Sequence, residues 1–171
     1  MPALDLIIRD ETASDMEAIY QLTQAAFADH PISNHTEQFI VNALRAAGAL
    51  TISLVAEKDG EVVGHIAFSP VSISDGSRDW YGLGPISVLP ALQRQGIGQA
   101  LMREGLARLK ALGARGCVLV GDPAYYERFG FKSLPKLSHE GVPQKNVLAL
   151  PLDDDQAEGV VTFHQAFAAT A

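Results

Sequence analysis

The stretch Gly84-Pro85-Ile86-Ser87-Val88-Leu89-Pro90-Ala91-Leu92-Gln93-Arg94-Gln95-Gly96-Ile97-Gly98 decides how this chain is read. A strand ends at Val88, the loop 89–95 follows, and a long helix opens near Gly96. Glycines at such a point let the backbone approach a ligand closely. The first N–H groups of a helix have no partner inside it, and with the helix dipole they suit a phosphate. Equally, the glycines serve as a plain loop-to-helix device, since short glycine motifs are weakly specific. A P-loop would need Gly-Lys-Ser/Thr, but Gln99-Ala100 follow Gly98. A dinucleotide fingerprint needs a third glycine where Leu101 stands, and a tighter turn off the strand. Asp122, after the next strand, could mimic its ribose-binding acid, so a dinucleotide-binding fragment remains a rival.

The charge around this stretch differs from the rest. Residues 94–115 hold five basic residues (Arg94, Arg103, Arg108, Lys110, Arg115) against Glu104, within a chain of net charge −7. The remaining eight basic and nineteen acidic residues put the rest at −11. A basic segment in an acidic protein suggests a focused anion site, or only a helix with a basic wet face. The acidic balance argues against nucleic acid and anionic membrane as partners. A length of 171 residues suits one domain, with roughly 70% of the unfolded surface buried. A single cysteine excludes an internal disulfide or a multi-cysteine zinc site, and five scattered histidines show no ligand spacing, so no metal is expected. Without a membrane-length apolar run or a secretory-type start, the expected location is the cytoplasm.

Working outward, Leu4 to Arg9 reads as a first strand. Thr12 and Asp15 resemble a capping box before a helix with Met16, Ile19, Tyr20, Thr23, Ala26 and Phe27 on one stripe. A second helix is expected from Asn34, with Glu37 in its first turn and Ile40, Leu44 and Ala47 inward, stopping at Gly48. Asp59-Gly60 and Asp75-Gly76 then predict two hairpins, Thr51–Glu57 with Glu61–Ser69 and Val71–Ser74 with Asp79–Val88. Such an antiparallel meander is foreign to a doubly wound nucleotide fold. The helix from Gly96 buries Leu101, Met102, Gly105, Leu106, Leu109 and Leu112. Cys117 to Val120 is a buried strand, and Asp122-Pro123 opens a short helix that closes at Gly130. Asn146 to Leu152 and Val160 to Phe163 read as strands around the acidic run Asp153 to Asp155.

These residues resemble the GNAT superfamily of N-acetyltransferases. Its hallmark Gln/Arg-x-x-Gly-x-Gly/Ala is matched by Gln93, Gly96 and Gly98, and Tyr126-Glu127-Arg128-Phe129-Gly130-Phe131 looks like its Tyr-x-x-x-Gly-Phe segment. The resemblance covers about residues 4–135, and the tail 159–167 looks like a bacterial subgroup. It implies a single domain over 1–171 with a C-terminal extension from about 136. The implied fold is α/β (α+β): a mixed, mostly antiparallel central sheet flanked by helices. A splayed parallel pair around Ile86–Val88 and Cys117–Val120 would hold acetyl-CoA as co-substrate. Pyrophosphate would sit on the amides of Arg94, Gln95, Gly96, Ile97, Gly98 and Gln99, next to Gln93. Pantetheine would pair with backbone along Ile86, Ser87 and Val88. Asp122 stands where many members carry Asn, which leaves its contact to the co-substrate open.

The implied reaction is direct attack by a primary amine, of a small molecule or a peptide, on the thioester. Tyr126 is implied as proton donor to the leaving thiolate; its bland alternative is a packing aromatic. A backbone N–H near Val88 could hold the developing oxyanion. For a base, Glu57 and His65 lie near the ends of two central strands; a solvated strand end and a structural histidine are their ordinary readings. Glu37, His30 and His35 fall where this family shapes its acceptor pocket. Cys117, in a buried strand, is not expected to act as a nucleophile. The chain is expected to be a monomer or homodimer. A noncatalytic acyl-CoA sensor or scaffold on the same fold is the alternative function.

Overall fold

The computed structural model describes residues 6–30, 33–153 and 156–171. In chain order it contains β1 (Leu6–Asp10), α1 (Met16–Phe27), α2 (Glu37–Ala46), β2 (Ile52–Lys58), β3 (Glu61–Ile73), β4 (Trp80–Val88), α3 (Ile97–Ala111), β5 (Gly116–Val120), α4 (Pro123–Tyr126), β6 (Lys132–Ser133), β7 (Leu137–Ser138), β8 (Val147–Pro151) and β9 (Gly159–Phe163). The sheet order is β1-β2-β3-β4-β5-β8-β6, and β9 pairs with β3 and β7. Neighbours are antiparallel except β4–β5 and β7–β9. The sheet is thus mixed and mostly antiparallel, as the sequence leads one to expect. No helix among the described residues is long and apolar enough to cross a membrane.

The β2–β3 hairpin follows its turn residues. Asp59 and Gly60 adopt φ of 53° and 81°, the left-handed pair a mirror-type turn requires. Helix α3 covers one face of the sheet with Leu101, Met102 and Leu109, all fully buried with Ile66 and Phe68. At Gly105 the helix comes so near that a Cβ would collide with the Phe68 ring. On the opposite face Ile19 of α1 and Val41 of α2 pack on Val55.

The parallel pair positions the cleft. Strands β4 and β5 are in register at Trp80–Gly116, Tyr81–Cys117 and Gly82–Val118, and the pairing ends there. Just beyond, Gly84 takes φ 143°, the Gly84–Pro85 peptide is cis, and Pro85 has no N–H to offer a ladder. The β3–β4 register slips at this point: Phe68 faces Leu83 and Ile66 faces Ile86, so β4 carries one extra residue. Strand β5 meanwhile stays with β8 through Leu119 and Val120. The sheet therefore opens between 84–88 and 119–122.

Several expectations are corrected. Val71–Ser74 does not return as a hairpin onto Asp79; Val71, Ser72 and Ile73 pair with Phe163, Thr162 and Val161 of β9. Asp75 accepts from the Glu158 amide and Ser74 Oγ from that of Val160, both at 2.8 Å, which docks the tail there. Helix α2 starts at Glu37 rather than Asn34, because His35 sits at φ 61°. Met16 and Leu112 are 41% and 46% exposed, and Ala47 is exposed too; Leu22 and Val41 fill the core instead. Met16 opens α1 and Leu112 and Ala47 are C-cap residues, all at helix ends that lie off the packed turns. Strand β1 is described from Leu6 to Asp10; the expected Leu4 and Asp5, and Asp154 and Asp155 of the acidic run, lie outside the described residues.

Candidate functional site

The opening is lined by three adjoining cavities. The first, of about 510 Å3, lies between the end of β4 and the start of α3, with Ile86, Val88, Gln93, Arg94, Gly96, Gly98 and Gln99 in its wall. Arg94 and Gly96, both in this wall, are left-handed, at φ 66° and 91°. Gly96 is the N-cap of α3 and offers no side chain, so the amides of Ile97, Gly98 and Gln99 lack intrahelical partners. The Gln93 amide donates to the Val88 carbonyl at 3.2 Å, tying loop to strand. A Cβ at Gly98 would stand 3.2 Å from the Tyr125 hydroxyl, so a side chain would crowd the cradle. Arg128 lies over the Tyr125 ring, 4.9 Å from its centroid, at the same wall. With Arg94 it makes this an anion-favouring end.

The second cavity, about 970 Å3, shares Ile86 and Tyr125 with the first and reaches Tyr126, Asp122, Leu119 and Glu37. Tyr126 is placed by its surroundings. Its ring fills the space beside Gly121, where a Cβ would come within 2.5 Å, and it meets Tyr125 edge-on at 4.9 Å between centroids. Burial pushes its phenol up to about 12, with Tyr125 and Asp122 adding to the shift. Asp122 caps α4 by accepting from the Ala124 amide at 2.9 Å. Asn146 clasps Gly121 from β8's side, donating to its carbonyl at 3.1 Å and accepting from its amide at 3.0 Å.

The third cavity, about 600 Å3, continues toward the tail and shares Phe27, Glu37, Leu83, Gly84, Pro85, Val120 and Val142 with the second. A separate cavity of about 470 Å3 around Trp80 and Lys132 lies by the paired end of β4 and carries none of the motif residues.

Most of the sequence-selected residues thus converge on one opening: Ile86, Val88, Gln93, Arg94, Gly96, Ile97, Gly98 and Gln99 on the first cavity, Asp122 and Tyr126 on the second. Gln95 is exposed and outside these walls, and Ser87, 2% exposed, is outside them too. The two base candidates are elsewhere, which corrects their expected placement. Glu57 accepts from Arg9 at 2.9 and 3.2 Å, and Arg9 also grips Asp15 at 2.7 Å, holding its carboxyl far below the ordinary range. His65 is fully buried, with Nε2 2.8 Å from Ser53 Oγ; Ser53 donates to Glu11, which is held by Arg45 at 2.8 Å. Burial pushes His65 down to about 4. Burial also drives the Cys117 thiol well up, and it lies inside the paired part of β5. Among the described residues no cluster of His, Cys, Asp or Glu suits a metal ion.

The sequence pattern did not single out Arg128 or Tyr125. It also missed Asn146 and the 141–143 loop, which reach the site only through the tail's return to β5.

The sequence matches the Acetyltransferase (GNAT) family over residues 16–131. It is 38% identical over 128 residues to the uncharacterized N-acetyltransferase YhbS of Escherichia coli strain K12, spanning 74% of each chain. The fold is similar to a GNAT family acetyltransferase from Brucella melitensis in complex with acetyl-CoA, at TM-score 0.86 and 52% identity, covering 96% of this chain and 99% of that one. It is likewise similar to E. coli YhbS in complex with CoA, at TM-score 0.89 and 33% identity, covering 100% and 96%.

Proposed function

Because the chain belongs to the GNAT family of acetyltransferases, we propose that it moves an acetyl group from acetyl-CoA to a primary amine by direct attack. The observation that carries this reading is the continuous opening from the Gly96–Gly98 cradle to Tyr126. Two similar proteins hold acetyl-CoA and CoA, and the residues here fit such a ligand: unpartnered helix amides and two arginines for phosphates, and a cradle that a Cβ would crowd. Acetyl-CoA supplies a thioester carbonyl open to attack and a thiolate able to leave.

The chain's own residues then divide the work. The amides of Ile97, Gly98 and Gln99, with Arg94, bind the diphosphate. Backbone at Ile86 and Val88, on the stretch of β4 that β5 has left, aligns the pantetheine arm and faces the oxyanion. As the N–C bond forms and the C–S bond breaks, the amine nitrogen sheds its proton to solvent. Tyr126 gives its proton to sulfur and is reprotonated from water. Its phenol, raised by burial, keeps that proton at any working pH. Glu57 and His65 take no part. The tail belongs to the same unit, since β9 completes the edge of β3.

Titration calorimetry with acetyl-CoA, CoA and NAD tests the reading. Wild type should bind the first two and not NAD; a folded Gly96→Glu, Gly98→Glu double variant should bind none. Tyr126→Phe should keep acetyl-CoA affinity and lose about 10- to 100-fold in kcat. An unchanged kcat removes Tyr126 from the chemistry, and binding without turnover of any amine would leave a sensor.

A further inference from the structure

The two ends of the opening carry charge of opposite sign. Arg94 and Arg128 line the first cavity, with no carboxylate among its described wall residues. The second and third cavities reverse this: Glu37 lines both and Asp122 the second, with no Lys or Arg among their described wall residues. Asp122 is engaged as the cap of α4. Glu37 is different, because it stands on the wall common to both cavities. Its two oxygens lie 2.7 and 2.8 Å from Ser33 Oγ, which also accepts from the His35 amide at 2.8 Å. This short network holds the carboxylate in one place at the first residue of α2.

Beyond Glu37, Phe27, Leu83, Phe163 and Phe167 line the third cavity, the last two with ring centroids 5.3 Å apart; His139 and His164 on the same wall are engaged by the Val161 carbonyl and the Ala166 amide. We propose that the acceptor is an amine of single positive charge on an aryl or bulky alkyl body, docked as its ammonium beside Glu37 with its body in the third cavity; it passes one proton to solvent before the neutral nitrogen attacks and a second as the amide forms. This rests on the acetyl-transfer reading above. An acceptor carrying its own carboxylate would bring an anion against Glu37 and Asp122 with no Lys or Arg in the described walls to pair it. A polyamine would press a second ammonium into an end whose described wall has no carboxylate besides Glu37.

The test measures thiol release at saturating acetyl-CoA with phenethylamine, phenylalanine and spermidine, alongside acetyl-CoA binding by calorimetry. Phenethylamine should exceed both others by at least about tenfold in kcat/KM. Glu37→Gln, which keeps an acceptor for Ser33, should raise the phenethylamine KM about tenfold and leave acetyl-CoA affinity unchanged. Phe167→Ala should raise the phenethylamine KM and spare that of methylamine, which has no body to seat. Equal use of phenylalanine or spermidine, or an unaltered KM in folded Glu37→Gln, overturns the proposal. So does failure of every amine in a protein that binds acetyl-CoA, which leaves the co-substrate assignment standing. Failure to bind acetyl-CoA overturns the acetyl-transfer reading itself.

Discussion

Burial acts in opposite directions on Tyr126 and His65, because it always opposes the charged form. Tyr126 is pushed up to about 12 and His65 down to about 4, so each is held neutral. In the proposed transfer Tyr126 keeps its proton, so its deprotonation should leave no limb in the kcat profile below about pH 11. For His65 the consequence is stability. The unfolded imidazole takes up a proton near its ordinary 6.5, the folded one only near 4, so between those values the unfolded state binds more protons. Unfolding free energy should therefore be at its full value above pH 6.5 and fall on the order of 3 kcal/mol by pH 4. Denaturation as a function of pH should show this slope in wild type and not in His65→Gln; equal slopes would place the titration elsewhere. Asp15 and Glu11, both held below the usual carboxyl range, add their own loss as pH falls through their ordinary values of 3.8 and 4.5, so the Glu11 loss overlaps the acid end of the His65 slope. Neither Glu57 nor His65 could be placed from strand alternation, since the β2–β3 register slips between Ala56 and Glu57. A one-residue slip moves a side chain to the other face.

At the scale of elements, α3 shows how local pattern and packing combine. Its apolar stripe is readable from spacing, and so is its glycine start. Why a glycine sits mid-helix at 105 is not, until Phe68 is seen beneath it. Alanine there would gain up to about 1 kcal/mol of helix propensity. Forcing a Cβ onto a fully buried ring costs more, so Gly105→Ala should lower unfolding free energy by about 1–2 kcal/mol in urea titration. A more stable variant would show that the ring can step aside. The Asp59-Gly60 hairpin was legible because two residues determine it. The Asp75-Gly76 return was not, because β9, more than eighty residues away in the chain, claims the end of β3.

Across the whole molecule, a net charge of −7 coexists with an arginine-lined first cavity and a carboxylate-lined second. Each ligand of the proposed reaction meets its opposite charge locally. Raising NaCl from about 0.1 to about 1 M shortens the screening length from about 10 to about 3 Å. Acetyl-CoA affinity and the KM for a cationic amine should then both worsen, by about three- to tenfold. Calorimetry and initial rates check this. Weakening of one ligand alone would confine the electrostatic pairing to one end of the cleft.

The sequence by itself determined the long helices and central strands, the antiparallel meander and the glycine-opened start of α3, because turn residues, caps and apolar periods act over a few neighbours. It also placed Tyr126 just after the capped turn at Asp122. Only the tertiary structure decided where β4 and β5 part, which residues wall the second and third cavities, and that Glu57 and His65 lie away from them. Those outcomes depend on a register slip, on a proline without an N–H at the edge of a ladder, and on a tail strand from far along the chain. Contacts between such distant residues carry no periodic mark in the sequence, and packing alone selects them.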